Sequence, residues 1–175
     1  MGAGKTSVGR RLAELVSAPF VDSDAEIVVA AGMTIPEIFA TYGEPEFRDG
    51  ERRVIARLLA GPPCILATGG GAFIEERTRD DILEMATSVW LRADLDVLWD
   101  RVRDRPGRPL LDAPDPKAVL ADLDRARSPF YGLADVTVDS RRGVSHVAMA
   151  REIVAALRAR DAERVDVAPT LKEIA

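Results

Sequence analysis

Residues 2–6 read Gly-Ala-Gly-Lys-Thr and run straight into an amphipathic helical pattern, a combination suited to holding a nucleoside triphosphate. Such a ligand needs converging backbone N–H groups, a cation near its β and γ phosphates and a hydroxyl on its Mg²⁺. Gly2, Ala3, Gly4, Lys5, Thr6 and Ser7 offer these at a helix N-terminus, Lys5 being the cation and Thr6 the hydroxyl. Val8, Leu12, Leu15 and Val16 then share one face, with Arg10, Arg11 and Glu14 opposite. The full pattern G-x-x-x-x-G-K-[ST] puts its first glycine two positions ahead of Met1, after an apolar strand, so Met1 reads as an internal residue of a longer motif.

Three further groups could do chemistry. Asp22-Ser23-Asp24 sets two carboxylates just past a strand pattern. One could hold Mg²⁺ and the other face a substrate hydroxyl that must lose its proton; a helix N-cap is the alternative use. Thr68-Gly69-Gly70-Gly71 follows a buried strand pattern, where missing side chains let a ligand approach the backbone; a tight turn is the plainer reading. Arg48, Arg101, Arg108 and Arg127 stand outside obvious helical ion pairing and could grip carboxylate or phosphate in two-pronged geometry, though each alone could be a solvated surface residue.

The elements that must position these groups alternate between helix and strand, which predicts an α/β fold with a parallel sheet. Strands are expected at 19–22, 64–68, 88–91 and 135–138. An all-helical insertion covers roughly 24–60, where Thr34 to Glu37 forms a capping box with Pro36 in the first turn. Further helices fit 75–86, 94–104, 116–128 and 145–159. Residues 105–116, rich in proline and glycine, read as a surface loop, and the end of the chain from about 160 carries no pattern. Chemistry is expected where strands end, since ligands of open α/β sheets lie outside their carboxyl ends.

The 175 residues are 47% apolar and suit one domain. A net charge of −5 and a pI near 5.0 argue against nucleic acid or an anionic membrane as partner. The single cysteine, Cys64, excludes an internal disulfide and reads as a packing residue; with no signal peptide or membrane-length apolar run, the expectation is a cytoplasmic monomer. His146, Trp90 and Trp99 read as surface or packing residues.

Taken in order, these segments resemble the shikimate kinase family. The matches are Met1-Gly-Ala-Gly-Lys-Thr6, Phe20-Val-Asp-Ser-Asp24, Ile35-Pro-Glu-Ile-Phe39, Gly43-Glu-Pro-Glu-Phe-Arg48 with Glu51, Ala67-Thr-Gly-Gly-Gly-Ala72, Arg108-Pro-Leu-Leu111 and Arg127-Ser-Pro-Phe-Tyr131. The resemblance implies a three-layer P-loop kinase fold, like that of nucleoside monophosphate kinases, over 1–160 with a five-stranded parallel sheet. It also implies a substrate-binding region near 24–60 and a lid near 103–115, while the patternless 161–175 is expected to be a tail. The implied reaction moves the γ-phosphoryl of ATP to the 3-hydroxyl of shikimate, with Mg²⁺. Lys5 would contact the β and γ phosphates, Thr6 and Asp22 would hold the metal, and Asp24 would bind the attacking hydroxyl. Arg48 and Arg127 would clamp the shikimate carboxylate, Glu51 would orient Arg48, and Gly69, Gly70 and Gly71 would lend backbone donors. Arg108 would close with the lid, Arg101 would support the nucleotide, and Arg142, or alternatively Arg141, would flank the base. The segment after Tyr131 is about one residue short of the family pattern, with Gly132 where a basic residue often stands. A kinase for gluconate or a nucleoside monophosphate, or a non-catalytic module of the same fold, is the competing reading.

Overall fold

Gly4 adopts a left-handed backbone, φ 92°, which a residue with a Cβ adopts only at a cost, and the chain turns there into α1 (Lys5–Leu15). The computed structural model describes residues 1–104, 113–163 and 170. Helix α1 leads to β1 (Phe20–Asp22) and α2 (Ser23–Ala31), whose N-cap is Asp22. Next comes α3 (Ile35–Leu59), opened by the expected Thr34 and Glu37 capping box. Gly43, at φ 82° and ψ 178°, breaks α3 into two segments, and Pro45 begins the second, where its missing N–H costs nothing.

The remainder alternates as β2 (Ile65–Ala67), α4 (Glu76–Met85), β3 (Val89–Arg92), α5 (Leu95–Val102), α6 (Pro116–Tyr131), β4 (Val136–Asp139) and α7 (His146–Glu163). Helix α6 runs three residues beyond its expected end, to Tyr131, with Pro129 accommodated inside its last turn. Helix α7 continues through 161–163, where a tail was expected, and ordinary helix formers there allow it. Arg108 and most of the expected lid lie outside the described residues, as do 164–169 and 171–175.

All strand pairing among the described residues is parallel, as the alternation predicts. Strand β1 pairs with β2 in the register Phe20 to Ile65, Val21 to Leu66 and Asp22 to Ala67. Strand β3 pairs with β4, from Val89 opposite Val136 to Arg92 opposite Asp139. The expectation of one five-stranded sheet is not met. The described residues form two separate two-stranded sheets, because no described strand bridges β2 and β3. Both strands instead line one apolar cleft of about 720 Å³, shared with Met1, Ala3, α1 and α7.

The main core joins Val8, Leu12 and Val16 to Leu91, Val136 and Val138 and to Met149, Ala150, Ile153 and Leu157 of α7. A second cluster, Ile55, Ala72, Phe73 and Ile82, packs α3 and α4 around the turn after β2. A third, Ile27, Ile38 and Phe47, fixes α2 against both segments of α3. No single described helix is long and apolar enough to cross a membrane.

Candidate active site

The phosphate loop is held from its far side. Gly2 (φ 77°) lies so close to α5 that a Cβ would come within 2.8 Å of Val102 Cγ1 and 3.0 Å of the Leu98 carbonyl oxygen. No side chain caps α1, which leaves its first-turn N–H groups for a phosphate. Arg101 of α5 donates to the carbonyl oxygens of Gly2 (3.3 Å) and Ala3 (3.5 Å), to Ser140 Oγ (2.8 Å) and to the Arg141 carbonyl oxygen (3.1 Å). Ser140, 3% exposed, donates in turn to the Ala3 carbonyl oxygen at 3.1 Å. Arg101 therefore braces the loop, and burial lowers its pKa.

Thr6 and Asp22, the two expected metal ligands, meet: Thr6 Oγ1 donates to Asp22 Oδ2 at 3.1 Å. The other oxygen of Asp22 accepts from Asp24 N at 3.1 Å, so Asp22 serves as the α2 N-cap as well. One hydroxyl and one carboxylate beside a phosphate loop are a donor set that fits Mg²⁺, which takes few protein ligands and completes its shell with phosphate and water. Among the described residues no three potential metal-ligating side chains cluster into an all-protein cage.

Asp24 is held at the start of α2, and burial pushes its carboxyl above the ordinary aspartate range. Neighbouring Asp22 adds to that rise, while Lys5 and Arg48 oppose it. Arg48, on the second segment of α3, donates to Glu51 Oε2 at 2.6 Å and to Glu44 Oε1 at 3.1 and 3.3 Å, and lies over the Phe47 ring. Burial opposes its charge, but Glu51 and then Glu44 outweigh that effect and raise its pKa. Glu51, 2% exposed, is pushed upward by burial, with Arg48 pulling against the shift.

The three glycines after β2 each clear space for different pocket members. A Cβ on Gly69 would sit 2.9 Å from both Asp24 Oδ1 and Glu51 Oε1. One on Gly70 would meet Tyr131 Oη at 3.4 Å and Arg127 Nη1 at 3.5 Å, and one on Gly71 would collide with the Arg48 guanidinium. The turn is thus the floor on which Asp24, Arg48, Glu51 and Arg127 converge. Buried Ser23 supports it by accepting from Gly69 N at 3.4 Å.

Arg142 and Arg141 do not join this group. Arg142 ion-pairs with Asp100, and Arg141 donates to Glu152 at 2.6 Å, so both are engaged on the surface near α5 and α7. Ser23, Ser140 and Tyr131 also support the site, which was not expected of them. Tyr131 alone carried a signal, standing four residues after Arg127 on one helix face.

The sequence profile of the shikimate kinase family matches residues 1–158. The shikimate kinase of Rhodopseudomonas palustris is 57% identical over 157 residues, covering 90% of this chain and 77% of that one. That of Ruegeria pomeroyi is 56% identical over 160 residues, covering 91% and 82%. A solved shikimate kinase from Acinetobacter baumannii in complex with shikimate superimposes with a TM-score of 0.85 at 35% identity, covering 95% of this chain and 91% of that one. With its phosphate loop, parallel strand pairs and glycine-floored pocket, the chain belongs to the shikimate kinase family.

Proposed function

We propose that this chain transfers the γ-phosphoryl group of ATP to the 3-hydroxyl of shikimate, yielding shikimate 3-phosphate and ADP for aromatic amino-acid biosynthesis. The observation that carries the reading is the convergence on Gly69 to Gly71 of Asp24, Glu51, Arg48 and Arg127. That pocket is linked through Asp22 to Thr6 at the phosphate loop.

Phosphoryl transfer asks little covalent chemistry of a protein, so the residues work by placement and charge. The first-turn N–H groups of α1 and Lys5 hold the phosphates, and Thr6 with Asp22 would hold Mg²⁺, which offsets charge on the phosphate oxygens. Three of the five N–H groups of Arg48 are engaged by Glu44 and Glu51, leaving two for the acceptor carboxylate. Arg127 closes on the same carboxylate from α6. Asp24 accepts the hydrogen bond of the attacking hydroxyl, and its raised affinity for a proton suits it to take that proton as the O–P bond forms. Arg108 is assigned to the lid and the transferring phosphoryl, and Arg142 to the nucleotide side. The competent unit is read as a cytoplasmic monomer; Asp24, Arg48, Glu51 and Arg127, all of one chain, support the monomer.

Asp24→Asn tests the central role. Turnover is expected to fall about 10²- to 10⁴-fold with shikimate still bound. In the unaltered protein kcat/KM is expected to drop on the acid side at a pH above the ordinary aspartate range, because a raised pKa leaves Asp24 protonated sooner as pH falls. Unchanged turnover in Asp24→Asn would refute the assignment.

A further inference from the structure

Tyr131 ends α6 and faces the acceptor pocket rather than solvent. Its Oη donates to the Gly70 carbonyl oxygen at 2.6 Å, joining residues 61 apart in the chain. Having spent its proton there, the phenol oxygen keeps its lone pairs for a donor, and the Arg127 guanidinium lies beside it over Gly70, where a Cβ would sit 3.4 Å from Tyr131 Oη and 3.5 Å from Arg127 Nη1. Burial pushes the phenol pKa up and Arg127 pulls against it. A hydroxyl that donates to the turn and keeps its acceptor side toward Arg127 is the result.

Arg127 needs such a partner. Among the described residues no carboxylate ion-pairs with it, whereas Arg48 has Glu44 and Glu51. A long cation without a fixed partner loses about 1.5–2 kcal/mol of rotamer freedom when a ligand immobilises it. The Tyr131 ring is itself held, with its centroid 6.0 Å from that of Trp90 and the residue packed against the Ile55, Ala72, Phe73 and Ile82 cluster. The ring thus transmits the position of the core to Oη, and Oη to both the glycine turn and Arg127.

We propose that Tyr131 is a positioning residue of the acceptor pocket, its hydroxyl tying the Gly70 carbonyl and the Arg127 guanidinium into one preorganised unit. This rests on the reading that Arg127 grips the acceptor. Tyr131→Phe keeps the ring and removes only the hydroxyl. The KM for shikimate should rise about tenfold, while the KM for ATP stays within about twofold and the melting midpoint moves little. In an Arg127→Ala background the same change should add almost nothing, because its target is already gone. An unchanged shikimate KM in Tyr131→Phe, an equal rise in both KM values, or additive effects in the double variant would overturn the proposal. If Arg127→Ala also leaves the shikimate KM unchanged, the pocket assignment fails instead.

Discussion

Gly71 shows how much of this site is made by side chains that are missing. A single methyl there would occupy the space of the Arg48 guanidinium, which is pinned by Glu51 and Glu44 and cannot swing clear without breaking both ion pairs. Gly71→Ala is therefore expected to raise the shikimate KM at least about tenfold while the ATP KM holds, a split that steady-state kinetics with each substrate varied would read. Equal effects on both substrates would mean that the turn supports the fold rather than the acceptor. The sequence signalled the surplus of three successive glycines but not which neighbour each admits. That depends on α3 and α6 folding over the turn, a long-range outcome invisible to local spacing. Asp22 was legible as either cap or metal ligand, and it has the geometry for both.

Among the elements, the β3 and β4 pair depends on a polar pin at its start. Asp135 accepts from Ser88 N (2.9 Å), Ser88 Oγ (2.8 Å) and Arg160 Nη2 (2.5 Å), and the Asp135 and Arg160 side chains are only 18% and 16% exposed. Burial works against the Asp135 charge, but these donors prevail and hold its carboxyl below the ordinary range. A depressed carboxylate stabilises the fold above its unfolded-state pKa, and that stabilisation is lost as pH falls through the folded-state value. Asp135→Asn should cost about 2 kcal/mol at neutral pH, lowering the melting midpoint by roughly 4–8 °C. The gap to the unaltered protein should narrow on acidification. A gap independent of pH would show that charge is not the cause. The elements themselves were largely readable, since caps such as Thr34 with Glu37 and Asp115 before Pro116 mark helix starts in local sequence. The Gly43 break was not, because Gly43 and Pro45 are compatible with either a kink or a full stop, and packing of Phe47 on Ile27 and Ile38 decides.

Across the whole molecule, the divided sheet is the feature that departs from the five-stranded family pattern. Strands β2 and β3 both line one apolar cleft of about 720 Å³, and Met1 and Ala3 lie on its wall. A fused apolar segment of about five or six residues running into Met1 has the length of an ordinary strand and could pair with both edges. Such a fusion should raise the melting midpoint by about 2–4 °C for each kcal/mol gained, and should tighten ATP binding by fixing Gly2 to Gly4. No change in either property would mean that the two sheets are independently sufficient. The central property proposed for the molecule is that one pocket selects a cyclic, carboxylate-bearing alcohol for phosphorylation. Its most direct test is ADP release from Mg·ATP by the purified protein, alone and with the fused strand, in the presence of shikimate, gluconate or a nucleoside monophosphate. Release that depends on shikimate and not on the other two is predicted; release driven by either alternative, or none with shikimate in both forms, would contradict it.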